Sequence, residues 1–475
     1  MRTTLLSLSA LLLANCAAVP HDQPVVAKVA AASVGVGQDT ASIDARWWDA
    51  FGDAQLGSLI DAGLAANPTL DAALARVRAA QAEIAIRHAD QLPQVAADGQ
   101  ATEQRLSDKY LIPPPYAGTT RAVAQVQAGL NWDLDLFGRQ RALVAKARSS
   151  AEAAQLDADA ARLTISTSIA QTYIGLARAE RQIQVAQGFV DTRQQSLAYV
   201  KSRSRNDLAN QIEVRTAETL LAEAEQAKVR AERQRDLLIH ALAALAGRGA
   251  DFYASVTPPA LALDTPPAVP AVLPADLLGR RPDLLAAEAR IDAAMADRKV
   301  ARADFLPNVN LQALAGFSAI GLGNLFTSGA GTYGAGAAIH LPIFEAGKLR
   351  AQYRQATADL DLAVADYNQG VLQAVRETSD ALTGIQAADA DLAQQKLVVS
   401  GLRDTVRLDQ VRVSTGLASK LDAIDSGFRL LEAEQALVDL QADGLVRRVQ
   451  LVAALGGGFK DKTSEAAASS KDKVS

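Results

Sequence analysis

The chain has 475 residues, of which 49% are hydrophobic but only 4% aromatic, and its formal net charge is −5. This length allows two or three ordinary domains, and the mild acidity, without a basic patch interleaved with aromatic residues, argues against a nucleic-acid partner. Alanine and leucine supply most of the apolar surface, which favours long, closely packed helices over a large mixed core.

The first fifteen residues are interpreted as a signal peptide. Arg2 gives a positive start, and Leu5–Leu13 form an apolar stretch that is too short to span a bilayer. Cys16, the only cysteine, then resembles the first residue of a mature bacterial lipoprotein and is the predicted lipid attachment site. The alternative is an ordinary secretory signal with an incidental cysteine, because Asn15 departs from the small residue that lipoprotein signals prefer.

An extended arm is predicted for residues 16–45, which are small and polar and show no period. Ala17 indicates the outer membrane, since an Asp at that position usually retains such lipoproteins at the inner one. Ordered structure is predicted to begin at Trp47, and apolar residues at helical spacing then continue to Asn67.

Two copies of one unit follow the arm. Pro68 precedes Pro282 by 214 residues, and Pro93 precedes Pro307 by the same offset. One offset that holds over a helix and its terminating proline indicates an internal duplication. The predicted organisation is a signal peptide at 1–15, an arm at 16–45, a first repeat at 46–249, a proline-rich connector at 250–279, a second repeat at 280–458 and a disordered tail at 459–475.

Each repeat carries two predicted strands, because the hydrophobic period changes to two after Pro93 and after Pro307. A strand with one apolar and one polar face needs two different solvents. Four strands alone can neither close a barrel nor cover their apolar faces, although a soluble sandwich is the alternative. The apolar face is predicted to hold Ala124, Val126, Ala128, Leu130, Val309, Leu311, Ala313, Ile339 and Leu341, and the polar face Gln125, Gln127, Asn131, Asn310 and Gln312.

A long span without proline follows each strand pair, with apolar residues spaced by three and four as in a helix. The first span is interrupted at Asn206-Asp207-Leu208-Ala209 and the second at Thr415-Gly416-Leu417-Ala418. Each span is therefore interpreted as a helical hairpin with arms of roughly 65 residues, or about 100 Å. A cytoplasmic coiled-coil scaffold is the alternative, against which the signal peptide and the two-faced strands argue.

The sequence carries no recognisable catalytic constellation. The four histidines fall in separate predicted elements, and there is no zinc-protease, nucleophile-elbow, phosphate-loop or paired-cysteine motif. Two Gly-x-Gly triplets lack the helix that a dinucleotide site needs. We therefore expect neither an enzyme nor a cofactor or metal site.

The chain resembles the TolC-like outer membrane factors of tripartite efflux pumps, and within them the NodT-type lipoprotein branch. The resemblance extends over nearly the whole mature chain, from Trp47 to Gly458. Its marks are Asn67-Pro68-Thr69-Leu70 with Ala75-Arg76-Val77, the start Arg280-Arg281-Pro282-Asp283 of the second repeat, and Pro342-Ile343-Phe344 with Gly347 at the strand exit.

The resemblance implies an α+β fold: a duplicated unit of long helical hairpins that form a coiled-coil tunnel, with four β-strands that contribute to a 12-stranded trimeric transmembrane β-barrel. It implies a homotrimer in outer membrane lipid, extending into the periplasm, with a periplasmic adaptor and an inner-membrane transporter as partners. The apolar strand face would then meet lipid and the polar face the lumen. The adaptor-contact tips would be Asp207, Leu208, Ala209, Gly416 and Leu417.

The chain departs from the family pattern at the first tip, where the family usually has Gly at Asp207 and commonly Asp at Glu213. At the second tip, Asp422 and Asp425 lie three residues apart and hence on one helical face. In the resembled family, acids there form rings at the periplasmic gate, which would attract cations and resist anions. The alternative for Asp422 is a capping box with Ser419, as the first copy offers with Asn210 and Glu213.

The predicted function is a passive outer membrane duct that carries small molecules from a periplasmic pump to the exterior. The alternative is a structural or adhesive envelope lipoprotein that uses the same trimer without transport. The exported substrate cannot be inferred from the sequence, because a duct contacts its cargo weakly.

Overall fold

The computed structural model describes residues 19–20, 22–29, 43–109, 111–267 and 281–458. The predicted signal peptide, Cys16, Arg280 at the predicted start of the second repeat, and the predicted tail from 459 onward lie outside these residues. The described chain forms two compact units. The described residues of the strand unit fall within Met1–Lys28, Arg76–Gln155 and Ala286–Asn368, and those of the helical unit fall within Val29–Ala75, Leu156–Leu285 and Gln369–Ser475. Each unit therefore combines segments of both predicted repeats.

A four-stranded antiparallel sheet forms the centre of the strand unit, with its strands in the order of the sequence. Two strands come from each predicted repeat. Within the described chain, β1 and β4 each leave one row of backbone N–H and C=O groups without a partner strand. The strands are β1 Gln94–Arg105, β2 Thr120–Asp133, β3 Asn308–Ile320 and β4 Gly331–His340.

The register of the sheet gives it one apolar and one polar face. Leu130 pairs with Ala313, while the next residue, Asn131, pairs with Gln312. Directly paired residues share a face, and successive residues of a strand alternate between faces. The predicted alternation therefore holds across the sheet. Apolar rows are Val95–Leu130–Ala313–Ala335 and Ala97–Ala128–Ala315–Tyr333, and polar rows are Gln94–Asn131–Gln312–Gly336 and Asp98–Gln127–Gly316–Thr332.

Six of the seven α-helices in the described residues form three pairs of equal length, and α1, with 13 residues, is the exception. The first pair has 22 residues in each helix, the second 67 and the third 35. Equal lengths in corresponding order are what a duplicated unit predicts. Within the described residues, no helix is both long and apolar enough to cross a membrane. The helices are α1 Ala54–Ala66, α2 Pro68–Ala89, α3 Arg139–Arg205, α4 Gln211–Leu245, α5 Pro282–Ala303, α6 Lys348–Ser414 and α7 Lys420–Ala454.

The hairpins are less symmetric than the sequence indicated. The outgoing helices have 67 residues, but the returning helices have only 35, so the expected arms of roughly 65 residues are wrong for α4 and α7. Glycines with a left-handed backbone follow both returning helices, Gly247 at φ 69° and Gly456 at φ 86°. A Cβ at Gly247 would lie 2.1 Å from the carbonyl oxygen of Ala66, so only glycine fits where α4 ends against α1.

Two side chains hold the helix ends together in corresponding ways. Asn67, which is buried, donates from Nδ2 to the last carbonyl of α4 at Leu245 (2.9 Å) and caps α2 by accepting from Thr69 N (2.9 Å). At the position 214 residues later, Arg281 donates to the last carbonyl of α7 at Ala454 (3.2 Å). In both copies, the residue before a 22-residue helix thus binds the last carbonyl of the returning helix, through an amide in the first copy and a guanidinium in the second.

The helical unit has a core in which α1 packs against both hairpins. Leu56 and Ile60 are fully buried among residues of α3, α4 and α7, together with Ile169 and Val449. The buried Tyr173 hydroxyl donates to Asp53 Oδ2 (2.7 Å). Burial and that carboxylate raise the pKa of Tyr173 far above its ordinary value, so the hydroxyl stays protonated and keeps donating.

Candidate functional site

The first hairpin tip is a tight turn that exposes a leucine. α3 ends at Arg205, and Asp207 adopts a left-handed backbone with φ 57°. This is the conformation that glycine adopts at little cost, whereas another residue pays about 1–2 kcal/mol. Leu208 follows with 65% of its surface exposed, and its carbonyl accepts a hydrogen bond from Arg203 (2.7 Å). The turn therefore keeps a left-handed residue at this position although that residue is an aspartate.

The second hairpin tip repeats this geometry with glycine in place of aspartate. Gly416 has φ 74°, and Leu417 is 73% exposed. The amide of Leu417 donates to Arg412 O (2.8 Å), as that of Leu208 donates to Arg203 O (2.9 Å) in the first tip. Both tips thus present one exposed leucine directly after a left-handed residue.

The two tips lie against each other within the helical unit. Leu421 from the start of α7 packs on Val200 and Val214 of the first hairpin. The ammonium of Lys420 lies 6.0 Å from the ring centroid of Tyr199. Of the tip residues that the sequence singled out, Ala209 borders this apolar cluster.

The two candidate gate acids have different surroundings. Asp422 Oδ2 accepts from Ser419 N (2.9 Å), and Ser419 Oγ accepts from Asp422 N (3.3 Å), so the capping box is present. Asn210 and Glu213 form the same box at the start of α4. The Asp425 side chain is 64% exposed and pairs with Arg429 (3.0 Å). Both acids are thus exposed and both have a partner, which is the backbone of Ser419 for Asp422 and the exposed side chain of Arg429 for Asp425.

Two contacts behind the second tip were not found from the sequence. The Arg193 guanidinium lies 3.5 Å from the ring centroid of Phe428, which also stacks on Phe189. Burial lowers the pKa of Arg193, although nearby acids, Asp425 among them, act in the opposite direction. Ser426 donates to Asp409, so the two arms of the second hairpin are also joined. These contacts join residues far apart in sequence, and no local pattern signals them.

The polar strand face of the strand unit carries side-chain hydrogen bonds. Gln125 Nε2 donates to Gln127, two residues along the same face. Asn308 Nδ2 donates to Asp133 Oδ2 (3.2 Å) across the strands. Amide and carboxylate groups in this arrangement suit a wet surface, whereas hydrocarbon would leave their remaining donors and acceptors unpaired.

The described part of the N-terminal arm lies along α6. Asp361 Oδ1 accepts from the backbone N–H groups of Val25 (2.9 Å) and Val26 (3.0 Å). Seven residues further on, Asn368 Nδ2 donates to Ala27 O (2.9 Å). Because residues seven apart share a helix face, one side of α6 provides a polar track for the arm. The predicted lipid attachment site, Cys16, lies outside the described residues.

Comparison with known proteins gives consistent results at the levels of family and sequence. The model of the family described as outer membrane efflux protein matches twice, over residues 59–248 and 273–457. The chain is 31% identical to TtgC of Pseudomonas putida, named a probable efflux pump outer membrane protein, over 98% of both chains. It is 30% identical to the pyoverdine export outer membrane protein OpmQ of Pseudomonas aeruginosa, over 97% of this chain and 98% of OpmQ.

A solved structure matches the fold. The crystal structure of the outer membrane protein VceC from Vibrio cholerae superposes with a TM-score of 0.80 at 33% sequence identity. The match covers 88% of this chain and 100% of VceC. The arrangement of helical hairpins and a small sheet is thus the arrangement of a solved outer membrane protein.

Proposed function

Because this chain belongs to the outer membrane efflux protein family, whose members are outer membrane channels of tripartite pumps, we propose that it acts as a passive homotrimeric duct. It carries small molecules from a periplasmic pump to the exterior and supplies no energy of its own. In such a trimer each chain contributes four strands to a 12-stranded barrel and its hairpins to a periplasmic tunnel.

The observation that carries this proposal is the two-faced sheet with two open edges. One face is apolar along β2, β3, β4 and the first part of β1, with Glu103 and Arg105 at the far end of β1, and the other face holds amides such as Gln127 and Gln312. In a bilayer every backbone polar group needs a partner, so a sheet with free edges at β1 and β4 must close with further copies. Closure with the amides inside gives a water-filled pore, and lipid then meets the apolar face.

The hairpin tips are the proposed contact with a periplasmic adaptor, which in turn joins an energised inner-membrane transporter. Leu208 and Leu417 support this, because each is more than half exposed at the end of a rigid turn. An apolar side chain held rigidly in water loses little conformational entropy on binding, so it suits a partner's apolar groove. Asp207, Ala209 and Gly416 shape the turns that present the two leucines.

The periplasmic gate is proposed at Asp425, with Asp422 as a second contributor. The exposed carboxylate of Asp425 supports this, since three copies converging on one axis would form a ring of negative charge. Asp422 also caps α7, so its carboxylate is partly committed to the backbone of Ser419.

Lipid attachment at Cys16 is proposed as an additional anchor. The arm supports it, since Val19 packs against Phe305 and Tyr353 only three residues after the cysteine. Cys16→Ala should abolish metabolic labelling of the protein by a fatty-acid analogue, while the barrel still inserts as the larger membrane contact. Label retained in the mutant would place the acylated residue elsewhere.

The cargo is proposed to be set by the transporter rather than by the duct. Relatives at about equal identity support this, because their names refer to different compounds, toluene for TtgC at 31% and pyoverdine for OpmQ at 30%. A wide, wet lumen makes few contacts that could distinguish such cargoes.

Accumulation in cells tests the proposed function. Deleting the gene in the host should raise intracellular retention of a fluorescent pump substrate, and restoring the wild-type gene should reverse it. A structural envelope lipoprotein predicts a different phenotype: leakage of periplasmic proteins on deletion with unchanged dye retention. That second outcome would contradict transport.

A further inference from the structure

Two loops at one end of the sheet expose large apolar side chains. The loop after β2 carries Leu136 and Phe137, which are 60% and 49% exposed. The loop after β4 carries Ile343 and Phe344, which are 52% and 72% exposed. Both loops line one cleft of about 460 Å³ in the strand unit, so they lie at the same rim of the sheet. We call these four residues the rim patch.

Exposed basic residues follow the rim patch in both loops. Arg141 comes just inside α3 with its side chain 69% exposed, and Lys348 is the first residue of α6 with 66% exposed. Their acidic neighbours are Asp135 at 3.1 Å and Glu345 at 3.8 Å. Arg141 also donates to the carbonyl of Asp135 (3.2 Å), whose carboxylate caps α3, and both cations stand in a first helical turn, where the helix dipole disfavours positive charge.

We propose that the rim patch and these two basic residues form a lipid-docking collar that binds the headgroup region of the bilayer and prefers anionic phospholipids. The inference rests on the proposed function in one respect, namely that the sheet stands in a bilayer. The aromatic and aliphatic side chains enter the boundary between headgroups and acyl chains, and the cations reach the headgroup phosphates.

Strand addition by a second copy does not cover the loop after β2. β2 is an interior strand, paired with β1 on one side and β3 on the other. A copy that extends the sheet must add at β1 or β4, so it leaves the loop with Leu136 and Phe137 uncovered. A membrane surface meets both loops equally, because it surrounds the whole rim.

The test uses the full-length channel in vesicles and a tryptophan placed in the collar. Phe137→Trp and Phe344→Trp variants are reconstituted with brominated lipids, and quenching is read as the difference from the unsubstituted channel. Brominated phosphatidylglycerol should quench both reporters more than brominated phosphatidylcholine, with a relative binding constant of about five, as expected for about one favourable basic contact. The preference should weaken as salt is raised.

Matched variants separate lipid recognition from general effects. Arg141→Gln with Lys348→Gln should bring the relative constant to about one, while Arg376→Gln with Arg407→Gln, equally exposed on α6, should leave it unchanged. Leu397→Trp, exposed further along α6, should not be quenched by either lipid.

Three results would overturn the collar. Reporters quenched by aqueous iodide but not by brominated lipid would place the rim in water. Reporters shielded from both would place it between copies. Equal quenching by the two lipids would remove the anionic preference. Because single-channel conductance is measured on the same samples, a conducting channel with any of these results refutes the collar alone, whereas a lipid-quenched but non-conducting protein refutes the proposed function alone.

Discussion

Replacing Asp422 and Asp425 together by alanine should lower the cation selectivity of the pore and weaken its block by divalent cations. In the proposed trimer these residues place up to six carboxylates near the axis, and a ring of acids raises the local concentration of cations. Asp425 should contribute more, because it is held only by a solvent-exposed ion pair with Arg429, whereas Asp422 Oδ2 is bound to the backbone N–H of Ser419. The shift of reversal potential in asymmetric salt measures the effect.

The first hairpin supplies the control for the gate variant. Glu213 forms the same capping box as Asp422, but it lies outside the proposed gate. Glu213→Ala and Asp422→Ala should each lower stability by less than the roughly 0.5–2 kcal/mol of a lost N-cap, because each removes only the returning half of a capping box. Only the variants that remove gate acids should change selectivity. A double variant whose conductance, selectivity and divalent block all match wild type would contradict the gate proposal and leave Asp422 only the role of a helix cap.

A charge on the apolar strand face should destabilise the channel far more than the same charge one residue away. Leu311 lies in a row with Trp132 and Ala337, and Gln312 lies in the opposite row with Asn131. Leu311→Arg should cost less than the roughly 2–4 kcal/mol of an arginine at the bilayer midplane, because Leu311 lies three residues from the start of β3. Gln312→Arg should cost less still, because only Leu311→Arg places its guanidinium in hydrocarbon. Denaturant-dependent folding into vesicles measures the difference.

The same two positions allow a chemical test of the faces. A cysteine at Gln312 should react with a membrane-impermeant reagent through the lumen, and a cysteine at Leu311 should not. Equal labelling at both positions would contradict the assignment of lipid and lumen to the two faces. An equal loss of stability in Leu311→Arg and Gln312→Arg would contradict it as well.

The strands were predictable because two solvents impose a strict period of two. The polar set that includes Gln125 and Asn310 was identified from the alternation alone, and the register places those residues on one face. The hairpin turns were predictable for a similar reason, since short polar or glycine-containing sequences interrupt long helical patterns there. The strands and the hairpin turns are both determined by residues close together in the sequence, so they could be predicted from short sequence patterns.

The lengths of the returning helices were not predicted, because the absence of proline was taken to mean a continuous helix. Gly247 ends α4 through its backbone conformation and its close approach to Ala66, and that approach depends on the tertiary packing of α1. The contact of Arg193 with Phe428 lies beyond sequence reasoning for the same reason. Long-range packing decided these features, and it leaves no local period.

Ionic conductance of the purified protein in planar bilayers tests the central claim most directly. A trimeric duct predicts discrete, long-lived current steps that favour cations, and larger or more frequent steps when Asp422 and Asp425 are both alanine and the acidic constriction is removed. Protein that inserts stably as a trimer and yet carries no current, in wild type and in the double variant alike, would contradict a duct and leave a structural envelope lipoprotein.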